Sequence, residues 1–127
     1  MIKNFWTEVN EKYNYRFFTG IPFKEAAKLY KSMDSDIMHY IPASNETIAL
    51  RLAAGAWISG IKSGVLLDSF KVNKLDFNFN TSFGIPVLLI TAIEDVPLRK
   101  GLFFNKDLDK VISYIEKNNK PAAFILN

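Results

Sequence analysis

The sequence predicts an α/β fold: a doubly wound, mostly parallel sheet with helices on both faces, built as a single domain over residues 1–127. Three observations predict it. Segments with helical spacing alternate with short apolar runs along the chain. Those runs are near-continuous rather than alternating, as in strands buried on both faces. The 127 residues, 49% hydrophobic and 23% charged, suit one domain with a substantial core.

Each element has its own signal. Ile2, Phe5, Trp6 and Val9 recur at helical spacing and predict a helix over 2–13. Tyr15–Thr19 is a short aromatic strand that ends at Gly20. Pro22 stands where a first helical turn accepts proline, and that helix runs to Met33. Asp34, Ser35 and Asp36 break the pattern before a strand over Ile37–Ile41. Asn45 can cap the next helix, which reaches Ser63. Gly64–Leu67 reads as a buried strand, and Asp68–Phe83 has mixed character. Ile85–Ile93 is the most apolar run and the expected central strand. A loop over Glu94–Gly101, an amphipathic helix over Asp107–Asn118 and a strand over Pro121–Leu126 complete the chain.

Right-handed crossovers wind such a sheet on both faces, and its ligands bind at the carboxyl ends of strands. The loops of interest are therefore Gly20–Pro22, Ala43–Glu46, Asp68–Lys74 and Ala92–Pro97.

Composition narrows the chemistry. Without cysteine there is no disulfide, thiol nucleophile or Cys-based zinc site. His39 is the single histidine, so a multi-histidine metal site is excluded, and His39 itself reads as structural. The net charge is +3, with lysines spread along the chain rather than gathered on one element, which argues against nucleic acid as partner. No apolar run approaches the ~20 residues of a membrane span. The amphipathic N-terminus does not read as a signal peptide, so a cytoplasmic protein is expected. The 11 phenylalanines imply large buried surfaces, in a core or an interface.

The helix from Asn45 to Ser63, NETIALRLAAGAWISGIKS, has little polar face; its charges are Glu46, Arg51 and Lys62. A surface helix shows one apolar stripe and one polar face. This one is expected to be covered on more than one side, by its own domain or, the favoured reading, in a subunit interface. Gly55 within it costs about 1 kcal/mol relative to Ala, which close approach of another element would explain. Glu46 opens the helix directly after a strand. By position it is either a helix-dipole acid, worth about 0.3–1 kcal/mol, or a catalytic carboxylate at that interface.

Three stretches carry a family resemblance. YRFFTGIP (Tyr15–Pro22) resembles the first strand and turn of the sulfopyruvate/phosphonopyruvate decarboxylase family. Ser44–Gly64, with Asn45-Glu46, the spaced Ala49, Ala53 and Ala54-Gly55, and Gly64, is similar to the family's glutamate helix. GIPVLLIT (Gly84–Thr91) is similar to its isoleucine-proline strand. They occur in the family's order over residues 15–95, with a weaker match over Asp107–Leu126.

The resemblance implies a pyrimidine-binding-type domain of a split thiamine-diphosphate enzyme. In that family the glutamate hydrogen-bonds the cofactor's aminopyrimidine and so activates the thiazolium ring, which takes up electrons as a 2-oxoacid loses carbon dioxide. It assigns Glu46 that role. It places Gly20, Ile21, Pro22 and Asn45 around the cofactor, with Ser69 and Phe70 as further cofactor contacts and Phe23 and Lys71 facing substrate. The chain has no Gly-Asp-Gly motif, with which the family's magnesium and diphosphate site begins. A second, Gly-Asp-Gly-bearing subunit would hold the Mg²⁺. The resemblance thus implies an α-type subunit, inactive alone, in a heterotetramer or larger assembly that also self-associates and takes a small anionic 2-oxoacid.

The sequence also departs from the family pattern. Phe23 and Lys24 follow Pro22 where the family commonly has aspartate. Asp68–Lys74 lacks the family's glycines, and Lys71 and Lys74 there are either anion ligands or solvated lysines. About one strand–helix unit is missing between Pro97 and Phe104. Two rival readings follow: a degenerate pyrimidine-type domain that stabilises a partner subunit, and a small flavodoxin-like interaction domain without thiamine.

Overall fold

The computed structural model describes residues 2–93 and 96–126. Six strands form one sheet: β1 (Tyr15–Gly20), β2 (His39–Pro42), β3 (Lys62–Leu66), β4 (Leu88–Thr91), β5 (Phe103–Asn105) and β6 (Ala122–Ile125). Their order is β2-β1-β3-β4-β6-β5, and every neighbouring pair is parallel. The helices are α1 (Ile2–Thr7), extended by a π turn over Glu8–Lys12, α2 (Ala27–Lys31), α3 (Glu46–Ile58), α4 (Ser69–Val72), α5 (Asn78–Phe83) and α6 (Leu108–Asn118). None of the described helices is long and apolar enough to cross a membrane.

Strand alternation sends successive side chains to opposite faces and creates two cores. Phe18, Leu66, Leu88 and Ile90 point to the layer of Trp6, Val9, Leu29, Val111, Ile112 and Ile115. Val65, Leu67, Leu89 and Ile125 point to Ala49, Leu50 and Ala53 of α3 and to Val72 and Leu75. Helices therefore cover both faces, as the apolar strand runs predict. Buried polar groups tie the layers together. Trp6 Nε1 donates to the Leu29 carbonyl at 3.0 Å, Asn10 Nδ2 to that of Tyr15 at 2.7 Å, and Ser63 Oγ to that of Ala53 at 2.7 Å.

Boundaries differ from expectation where the backbone turns. Phe23 is extended, so the helix after Pro22 begins only with a 3₁₀ turn at Lys24–Ala26 and stops at Lys31. α3 ends at Ile58, because Gly60 turns the chain at φ +90° and Lys62 already pairs with Tyr15. Only Leu88–Thr91 of the long apolar run pairs as strand, although Ile85–Val87 and Ala92 are buried too. The mixed segment after Asp68 holds α4 and α5. Next to the Pro97–Phe104 region, no strand was expected from the sequence, and β5 is a three-residue edge strand over Phe103–Asn105. Among the described residues no helix joins it to β4. Glu94 and Asp95 of the expected loop lie outside the described residues.

Candidate functional site at the carboxyl edge of β1 and β3

The strand order reverses between β1 and β3. The chain leaves β1 towards β2 on one side and leaves β3 towards β4 on the other. The segments that follow therefore diverge, and the carboxyl edge at such a reversal is where ligands of open parallel sheets bind.

Gly20 closes β1 in a conformation that only glycine adopts readily. Its φ is +150°, and a Cβ there would lie 2.1 Å from the Leu66 carbonyl oxygen. The approach is fixed by Ile21, whose N–H donates to that oxygen at 3.1 Å. The Gly20 carbonyl in turn accepts from the Ala43 N–H at 2.9 Å. This bond holds the β2–α3 loop against the end of β1, three residues before Glu46. The Gly20–Ile21 turn and the Asn45-Glu46 start of α3 are thereby held at the same edge of the sheet, with Pro22 exposed beside them.

Asn45 is extended, and its side-chain oxygen accepts from the Ile48 N–H at 2.9 Å, which makes it the N-cap of α3. Glu46 follows as the first helical residue. It shares the inward face of α3 with Ala49, Leu50 and Ala53 and is half-buried. Among the described residues nothing hydrogen-bonds or ion-pairs its carboxylate. A free, half-buried carboxylate at a helix start suits a ligand nitrogen that donates or shares a proton.

α4 follows β3 on the α3 side of the sheet. Asp68 Oδ1 accepts from the Lys71 N–H at 2.8 Å and caps the helix, while Oδ2 pairs with the Lys71 ammonium at 3.2 Å. Lys71 is thus engaged within its own turn. Ser69 is buried, and Phe70 is exposed, its ring 4.4 Å from the Lys74 ammonium. Phe23 departs from the group: its partly buried side chain packs against the core on the other face of the sheet.

Two hydroxyls near the carboxyl ends of β1 and β4 had no signal in the sequence beyond their position at strand ends. Thr19 and Thr91 are fully buried, and their Oγ1 atoms have no protein hydrogen-bond partner. Phe18 and Ile90 fill the α1–α6 layer, so alternation turns both threonines towards the α3 layer. Groups left unsatisfied in this way cost about 1–3 kcal/mol each. Among the described residues no three His, Cys, Asp or Glu side chains come together as a metal cage. No family model matches the chain, and none of the curated proteins matches it.

Proposed function

We propose that the chain is the pyrimidine-binding-type subunit of a cytoplasmic, heteromeric thiamine-diphosphate-dependent 2-oxoacid decarboxylase, with sulfopyruvate and phosphonopyruvate as the model substrate class. The observation that carries this reading is Glu46: a half-buried carboxylate, free among the described residues, that opens α3 beside the Gly20–Leu66 contact. In this reading the carboxylate holds a proton at the pyrimidine nitrogen of the cofactor. The cofactor, when bound, supplies the electron sink for loss of carbon dioxide. The Gly20–Pro22 turn shapes the wall, and the Asn45 cap fixes where α3, and so Glu46, begins. Ser69 and Phe70 flank the site from α4. A Gly-Asp-Gly subunit brings the Mg²⁺ and closes the site against water.

The test is co-expression with such a subunit, followed by calorimetric titration of thiamine diphosphate with Mg²⁺. The expected result is saturable binding by the pair and 2-oxoacid turnover that collapses in Glu46→Gln. A second reading, a degenerate domain that stabilises a partner, is favoured by one set of observations. Lys71 is paired with Asp68, and Phe23 packs against the core, so neither is free for substrate. A stable complex that binds no cofactor and turns over no oxoacid supports this second reading.

A further inference from the structure

A second hollow lies at the edge of the sheet opposite Glu46. Residues 99–102 and 120–121, which lead into the amino ends of β5 and β6, meet the start of α5 there around a cavity of about 220 Å³. Arg99, Lys100 and Lys120 line it, and among the described residues no acidic side chain does. None of these three cations makes an ion pair among the described residues. Asp76, the acid nearest in sequence, accepts from the Asn78 N–H at 2.9 Å and lines a different groove, beside α3.

Arg99 is positioned by the protein itself. The Asn73 side chain grips its loop: Nδ2 donates to the Pro97 carbonyl and Oδ1 accepts from the Arg99 N–H, each at 2.9 Å. The guanidinium lies 4.8 Å from the centre of the Phe77 ring and donates through Nη1 to the Leu75 carbonyl. Among the described residues that bond engages one of the five N–H donors a guanidinium offers. A planar fork held in this way is ready for an oxyanion, with less freedom to lose on binding than a loose side chain.

We propose that this cavity binds a small phosphate-bearing anion. Charge selects the class. One carboxylate would leave two of the three cations unmatched, whereas a phosphate group carries about −1.5 to −2 at pH 7 and suits a guanidinium fork flanked by ammonium groups. Size selects a small molecule, because the cavity is below the roughly 300–1,000 Å³ of drug-sized sites. Phe77, Leu102 and Pro121, all buried, give the carbon part of an ester an apolar surface, and Thr81 adds a hydroxyl. The ligand would not reach Glu46, because the cavity and the start of α3 lie at opposite ends of parallel strands. The inference holds whether or not the chain takes part in thiamine chemistry.

The test is titration of the chain by itself with inorganic phosphate and with phenyl phosphate at constant ionic strength, followed by backbone amide NMR, for wild type and the double variant Lys100→Ala/Lys120→Ala. Both lysines are exposed, and the amide spectrum checks that the variant is folded. The expected result is saturable shifts centred on residues 99–102 and on Lys120, with a dissociation constant of about 1 mM or tighter, weakened at least about tenfold in the double variant. Tighter binding of phenyl phosphate assigns an ester, and equal binding assigns free phosphate. No saturation by either probe, shifts spread over lysines elsewhere, or a double variant that binds like wild type would overturn the proposal. So would equal shifts from chloride at the same ionic strength, or saturation by an oligonucleotide where neither small phosphate binds.

Discussion

The α-carbon of Gly20 sits so close to the Leu66 carbonyl that a methyl group at Gly20 would have to occupy the oxygen's own space, 2.1 Å away. The obstacle is backbone, so no side-chain rotation relieves it, and the φ of +150° adds strain for any L residue. The contact also sets the geometry of this edge of the sheet, because the Ile21 and Ala43 hydrogen bonds depend on it.

Gly20→Ala is therefore expected to cost on the order of 3 kcal/mol or more. Urea denaturation checks it. A loss below about 1 kcal/mol would mean that β1 and β3 can separate at their carboxyl ends without penalty.

Gly55→Ala is expected to act in the opposite sense. Its Cβ position is open within the chain, so the substitution should stabilise the folded monomer by about 0.5–1 kcal/mol. Thermal melts of the two proteins check it, and a lower melting temperature for Gly55→Ala would show that the open space at this position is needed.

Asn45→Ala removes the acceptor for the Ile48 N–H and should cost about 1 kcal/mol, while Asn45→Asp, which keeps an acceptor, should restore most of it. In the mixed complex Asn45→Ala should also lower turnover, since the start of α3 positions Glu46. An unchanged rate would separate the cap from the site.

Asp68 and Lys71 should behave unequally. Their ion pair is partly solvated, with a third of the Lys71 side chain exposed, so Lys71→Met should change stability by less than about 1 kcal/mol. Asp68→Ala also removes the cap of α4 and should cost about 1–2 kcal/mol. Paired urea curves test this, and equal losses would show that the ion pair, not the cap, is what matters.

Stability should fall in alkali. Burial, with the nearby Glu116 charge second, holds the Tyr15 hydroxyl well above its ordinary value. Burial, with the neighbouring Tyr40 second, does the same for Tyr30. Burial also raises Tyr40. The unfolded chain releases these protons near pH 10, about the free phenol value, while the folded chain keeps them. Above that pH the unfolded state binds fewer protons, so stability declines as pH rises towards the folded values; below it the contribution is complete and flat. Urea midpoints from about pH 8 to about pH 11 should show the decline, reduced in Tyr15→Phe.

The periodic parts of the architecture could be read from the chain, and the parts set by spatial neighbours could not. Phe5, Trp6 and Val9 carry a helical period and are buried, and the runs around Val65 and Leu89 are buried on both faces as parallel strands must be. The Asn45 cap and the position of Glu46 at a helix start were equally plain. β5 escaped because Phe103–Asn105 is too short for a period; its strand character comes from pairing with β6. Thr19 and Thr91 could not be identified, because a threonine near a strand end looks the same whether its hydroxyl is satisfied or orphaned. Phe23 was assigned to the site from its place after Pro22, but its extended backbone carries the ring against the other core. α3 was expected to be covered on more than one side, whereas within this chain only its Ala49, Leu50, Ala53 and Ala54 face is buried.

The strand order also has a consequence for how the molecule comes into being. No two of the described strands form a hairpin. The nearest pairing partners, Phe103 and Ala122, are 19 residues apart, and Phe18 of β1 pairs with Gly64 of β3, 46 residues later. So many long loop closures place the chain among slow folders, on the millisecond-to-second scale rather than the microsecond scale of helical bundles. During synthesis at about 5–20 residues per second, β1 waits several seconds for β3 to be made. Throughout that wait the aromatic segment Tyr15–Phe18 lacks one of the two strands that flank it in the finished sheet.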